Sequence, residues 1–110
     1  MKIWTLKNCD TCRKAVKELE AEFGALERVD VRDDGVAPVD LARFYAAFGE
    51  DILNRRSTTW RALSPESREG NPLTLLAAHP TLMKRPVIQL DERLFLGWGK
   101  DVQAELMQSK

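Results

Sequence analysis

The sequence predicts an α/β fold: a small mixed four-stranded sheet flanked by helices, with a helical insertion in the middle of the chain. Three observations carry that prediction. Strand-like runs fall near the two ends, and Asp51–Lys84 shows none. Helical periodicity separates the first two runs, and a short polar turn joins the last two. The order therefore reads β-α-β, then helices, then β-β-α. With 110 residues, 44% apolar and 31% charged, the chain has the size and composition of a single domain over residues 1–110.

Each element has its own signal. Lys2–Leu6 is rich in β-branched and aromatic residues and reads as a strand. After a turn over Asn8–Thr11, Ala15, Val16, Leu19 and Phe23 recur at helical spacing, and Gly24 stops the helix. Leu26–Val31 is a second strand, closed by the polar turn Arg32–Gly35. Leu41, Phe44, Tyr45 and Phe48 mark the next helix, which Gly49 ends. Ser64-Pro65-Glu66 reads as a helix start and Leu73–Ala78 as a further helical piece, so the insertion covers roughly residues 38–84. Pro86–Leu90 and Arg93–Leu96 form a hairpin through Asp91-Glu92. Gly97-Trp98-Gly99 breaks the pattern, and a last helix begins at Asp101 with Val102 and Leu106 four apart.

Composition excludes several roles. Seventeen basic and 17 acidic side chains balance, which argues against direct nucleic-acid binding by phosphate neutralisation. No apolar run nears the roughly 18 residues of a membrane-spanning helix. Met-Lys-Ile-Trp-Thr lacks the apolar stretch of a signal peptide, so a cytoplasmic location is expected. The chain has two cysteines, Cys9 and Cys12, three positions apart. A static disulfide does not suit the cytosol. Zinc needs four ligands, and the one histidine, His79, is distant in sequence, so no metal is expected. A redox or catalytic thiol pair fits best; two inert cysteines are the plain alternative.

Cys9 falls where the first strand gives way to the first helix. Unpartnered N–H groups and the helix dipole favour a thiolate there, and thiolate is the reactive form of cysteine. Lys7, Arg13 and Lys14 add positive charge nearby, while Asp10 opposes it, so the Cys9 pKa is expected below that of a free cysteine. The same N–H groups suit an oxyanion, with Arg13 among the candidate ligands. Cys12 lies one turn on, either as a resolving thiol or as a small buried residue of the helix.

Lys7-Asn-Cys-Asp-Thr-Cys-Arg-Lys-Ala15 resembles the first-loop motif of the ArsC/Spx/YffB family, arsenate-reductase-like proteins of thioredoxin-like fold. Leu53-Asn-Arg-Arg-Ser-Thr-Thr-Trp-Arg-Ala-Leu63 and Leu82-Met-Lys-Arg-Pro-Val-Ile88 resemble two further family segments in the same order and spacing. The resemblance thus covers essentially the whole chain. It implies that Cys9 is the nucleophile, that Arg85 binds an oxyanion or a glutathione carboxylate, and that Arg56 is a second basic residue near the site. Arg55, Arg56 and Arg61 read equally as a solvated basic face. Pro86 resembles the cis-proline that faces the reactive cysteine in such folds. Arsenate reductases proper carry a further arginine after the last strand. Here that stretch is Leu96-Gly-Trp-Gly-Lys100, closer to the YffB and Spx branches, and Lys100 offers only a point charge.

The expected function is a thiol-dependent reductase. Cys9 forms a mixed disulfide or oxyanion adduct, which Cys12 or glutathione resolves. No bound cofactor is expected, and glutathione or another small thiol supplies the reducing equivalents. The alternative, also implied by the resemblance, is an Spx-like redox-sensing regulator that binds the RNA polymerase alpha subunit.

Overall fold

The computed structural model describes residues 1–109. It forms two compact units: Met1–Asp30 together with the chain from Arg85 onward, and Val31–Lys84. The second unit therefore takes in the turn after the second strand as well as the helices that the sequence assigns to an insertion.

The first unit holds the sheet. Strand β1 (Lys2–Thr5) pairs parallel with β2 (Glu27–Asp30), the two joined through helix α1 (Asp10–Phe23). Strands β3 (Val87–Leu90) and β4 (Arg93–Leu96) form an antiparallel hairpin, and β3 pairs antiparallel with β1. The order is β2-β1-β3-β4. A parallel pair needs a crossover, which α1 supplies, whereas the hairpin needs only a tight turn. Asp91 takes that turn at a φ of 56°, a left-handed conformation that a short polar side chain tolerates.

Helix α1 forms because its apolar residues fall on one stripe. Cys12, Ala15, Val16 and Leu19 are buried along it, and Gly24, at a φ of 85°, ends it. Ala15, Val16 and Leu19 pack with Ile3 and Ile88 of the two central strands. Phe95, Trp98 and Leu106 complete the cluster, the last from the closing helix Lys100–Gln108.

In the second unit, α2 (Pro38–Phe48) opens with proline at its first turn and buries Leu41 and Phe44. Three short helices follow: α3 (Thr58–Ala62), α4 (Pro65–Arg68) and α5 (Pro72–Ala78). Each has a capping side chain, Ser57, Ser64 and Asn71 respectively, that accepts backbone N–H groups of the first turn. The closing helix Lys100–Gln108 is α6. A single antiparallel bridge, Leu53 with Met83, ties the ends of the segment that carries no strand signal. Lys84 N–H donates to Ile52 C=O at 2.7 Å, and Asn54 N–H to Leu82 C=O at 2.9 Å.

Leu19 is fully buried, so Leu19→Ala should cost about 2–5 kcal/mol of stability, read as a lower urea midpoint. Val39, 65% exposed, provides the control: Val39→Ala should cost well under about 1 kcal/mol. Equal effects of the two changes would contradict the assigned core.

Candidate active site at the start of helix α1

The turn that follows β1 delivers Cys9 to the N-terminus of α1. Cys9 N–H donates to Leu6 C=O at 3.1 Å, closing the turn, and Cys9 C=O accepts the first helical bond from Arg13 N–H at 3.0 Å. Its backbone is extended, at φ −102° and ψ 113°, as the capping position requires. From there the Cys9 sulfur accepts the Cys12 N–H at 3.4 Å. The thiol is thus the N-cap of α1.

A second residue comes from across the sheet. β1 and β3 run antiparallel with Trp4 opposite Val87. Continuing that register brings Pro86 level with Thr5 and Arg85 level with Leu6, at the edge of the cysteine turn. The Arg85–Pro86 peptide bond is cis, and Pro86 is buried. Gly97 N–H donates to Pro86 C=O at 2.8 Å, which ties this corner to the end of β4. The Arg85 guanidinium acts on Cys9 both as a hydrogen-bond donor and as a positive charge.

The two thiols are driven apart in acidity. Partial burial raises the Cys9 pKa, but hydrogen bonds from the Cys12 thiol and N–H, together with Arg85, outweigh it and bring the value below that of an ordinary cysteine. Cys12 is pushed up to about 12 by burial, by its hydrogen bond to Cys9 and by the Cys9 charge. The Leu6 N–H and Arg85 pull the other way without prevailing. Cys9 is half-buried and Cys12 buried, so one sulfur is reachable and the other is not. Opposite shifts in adjacent groups divide their chemical roles.

The charge that acts on Cys9 comes from Arg85, not from the cations beside it in sequence. Arg13 is exposed and forms an ion pair with Asp10. Lys7 and Lys14 are exposed. Arg56 belongs to the second unit, where it is exposed and its N–H donates to Asn54 Oδ1 at 3.0 Å. Its neighbour Arg55 pairs with Glu50 and lies 5.6 Å from the Trp60 ring. Trp98, which the sequence shows only as part of a break, is buried and donates from Nε1 to Glu18 Oε2 of α1 at 2.9 Å. Among the described residues, no group of three or more His, Cys, Asp or Glu side chains could hold a metal ion. No helix among them is long and apolar enough to cross a membrane.

A cysteine capping the first helix, with a cis-proline and an arginine at the edge of the neighbouring strand, belongs to a thioredoxin-like protein. Within that class the chain is a member of the ArsC family, which residues 4–106 match. It is 38% identical over 108 residues to an uncharacterised protein of Haemophilus influenzae, covering 93% of this chain and 95% of the relative. A solved structure named YffB protein superimposes with a TM-score of 0.87 at 30% identity, over 96% of this chain and 97% of that one. The global transcriptional regulator Spx of Streptococcus pyogenes serotype M3 is 27% identical over 105 residues, 86% of this chain and 75% of the regulator. Family membership supports a thiol-dependent redox role.

At neutral pH a neutral alkylating reagent should modify Cys9 and leave Cys12 intact until the protein unfolds. Because Arg85 favours the charged sulfur, Arg85→Met should move the Cys9 reaction profile to higher pH and slow it about three- to tenfold at pH 7. Peptide mapping by mass spectrometry checks both. Equal labelling of the two cysteines in the folded protein would contradict the site.

Proposed function

We propose that the protein is a thiol–disulfide reductase acting on glutathione-type mixed disulfides, with Cys9 as nucleophile and Cys12 as resolving thiol. The observation that carries this reading is the paired displacement of the two thiols around one helix N-terminus. In the first step the Cys9 thiolate attacks a sulfur of the substrate disulfide. The S–S bond breaks, the departing thiolate takes a proton, and Cys9 is left in a mixed disulfide with glutathione.

That step changes the environment of Cys12. Burial holds the Cys12 proton most strongly, and the acceptor sulfur and negative charge of Cys9 add to that hold. Once Cys9 is disulfide-bonded the charge is gone, and the Cys12 thiol becomes more acidic. It then loses its proton and attacks the Cys9 sulfur, releasing glutathione and closing Cys9–Cys12. Two further glutathione thiols reduce that disulfide, so each cycle transfers two electrons. Arg85 serves as the anchor for a glutathione carboxylate, a group its planar fork accepts bidentately.

Arsenate asks for more. As a dianion it needs several positive forks at one centre, and Leu96-Gly-Trp-Gly-Lys100 supplies no arginine after the last strand. Each absent charge-assisted hydrogen bond costs about 1.5–3 kcal/mol of binding. The likeness to Spx favours a second reading, a redox-sensing regulator that engages the RNA polymerase alpha subunit. Stable capture of that subunit without reductase turnover would select it.

Side-by-side assays decide between these. Wild-type protein should reduce a mixed glutathione disulfide and turn over arsenate at least about tenfold more slowly, with Cys9→Ser inactive on both. Cys12→Ser should accumulate a glutathione adduct at Cys9, a mass increase that the wild type does not retain. Full activity of Cys9→Ser, or efficient arsenate turnover, would overturn the reading.

A further inference from the structure

Asp30 is the one charged side chain in the buried core among the described residues, at 9% exposure. Nothing in the proposed reaction uses it. Burying a carboxylate is costly unless hydrogen bonds replace its water, so its place in the fold calls for a cause. Asp30 is the last residue of β2 and lies in register with Thr5, the last residue of β1. Beyond it the chain turns over Val31–Asp34, and the β1–β2 ladder stops.

The carboxylate continues where the ladder ends. Asp30 Oδ2 accepts the Lys7 N–H at 3.1 Å. That N–H shares a planar peptide unit with the Leu6 C=O, so fixing one end fixes the direction of the other. The Leu6 C=O is the group that accepts the Cys9 N–H at 3.1 Å. One rigid plane therefore links Asp30 on one side to the Cys9 amide on the other. Its neighbouring N–H, that of Leu6, bonds the Cys12 sulfur.

We propose that Asp30 is a positioning residue for Cys9: through the Leu6–Lys7 peptide plane, its carboxylate sets the turn that presents the Cys9 sulfur at the helix N-terminus beside Arg85. The proposal rests on Cys9 being the reactive thiol, but not on which disulfide or oxyanion it attacks. The acceptor oxygen is what matters. Asn keeps such an oxygen and Ala removes it.

The test compares wild-type full-length protein with Asp30→Asn and Asp30→Ala by Cys9 alkylation across pH and by Lys7 amide exchange in NMR. In the wild type the Lys7 amide should exchange at least about tenfold more slowly than in an unstructured chain. Asp30→Asn should keep that protection and a Cys9 profile within about twofold of the wild type. Asp30→Ala should lose the protection and alkylate at Cys9 about three- to tenfold more slowly at neutral pH. A destabilised Asp30→Ala with an unchanged Cys9 profile would reduce Asp30 to a structural residue and overturn the proposal. So would an Asp30→Asn profile displaced as far as that of Asp30→Ala. An unprotected wild-type Lys7 amide overturns it with no variant at all, should Asp30→Ala fail to fold. Both readouts are taken without turnover, so an active Cys9→Ser, which would end the reductase reading, registers separately.

Discussion

The chemistry proposed for this chain depends on the hydrogen bonds that Cys12 gives the Cys9 sulfur across the first turn of α1, from its thiol and from its N–H at 3.4 Å. A helix start leaves backbone N–H groups in need of acceptors, and Ser, Thr, Asp and Asn usually provide them. Here a sulfur fills the position. As an acceptor a thiolate outperforms a thiol, so the N–H that caps the helix also helps to lower the pKa of Cys9. The Cys12 thiol adds a second donor to the same sulfur, and its own proton becomes harder to lose. Burial does most to raise the Cys12 pKa, and the bond to Cys9 adds to it.

The sheet supplies what the helix cannot. Antiparallel pairing of β1 and β3 places Arg85 level with the cysteine turn, although 76 positions separate Arg85 from Cys9 in sequence (85 minus 9). Pro86 is buried, and its carbonyl is tied to Gly97 at the end of β4. Trp98 in turn reaches Glu18 on α1. The Cys9 thiol thus sits where regular elements end, held by strands and a helix rather than by a long loop, which keeps its geometry tight.

Much of this was legible in the amino-acid sequence because periodicity and spacing are local signals. The α1 stripe, the stops at Gly24 and Gly49 and the Asp91-Glu92 turn all appear in the structure. Cys9 and Cys12 stood out by spacing alone, and Arg85 through the resemblance of its segment to the ArsC family. What sequence reading assigned differently depends on contacts between distant residues. Lys7, Arg13 and Lys14 looked like the source of positive charge because they are neighbours along the chain. Arg13 instead pairs with Asp10, and the charge arrives from Arg85. Asp30 gave no warning: the sequence places it inside the second strand, Leu26–Val31, and nothing local marks its carboxylate as buried. Its burial becomes visible only when β2 is laid beside β1. Trp98 was hidden for a similar reason, its partner Glu18 lying on the far side of the sequence.

The most direct measurement of the central claim is an ultraviolet titration of thiolate absorbance in wild-type protein, with Cys9→Ser as reference. Two well-separated steps are expected: one, absent from Cys9→Ser, below the ordinary cysteine range, and a second only at strongly alkaline pH, where Cys12 is pushed up to about 12. A single step near the ordinary thiol value, carrying both sulfurs together, would contradict that claim.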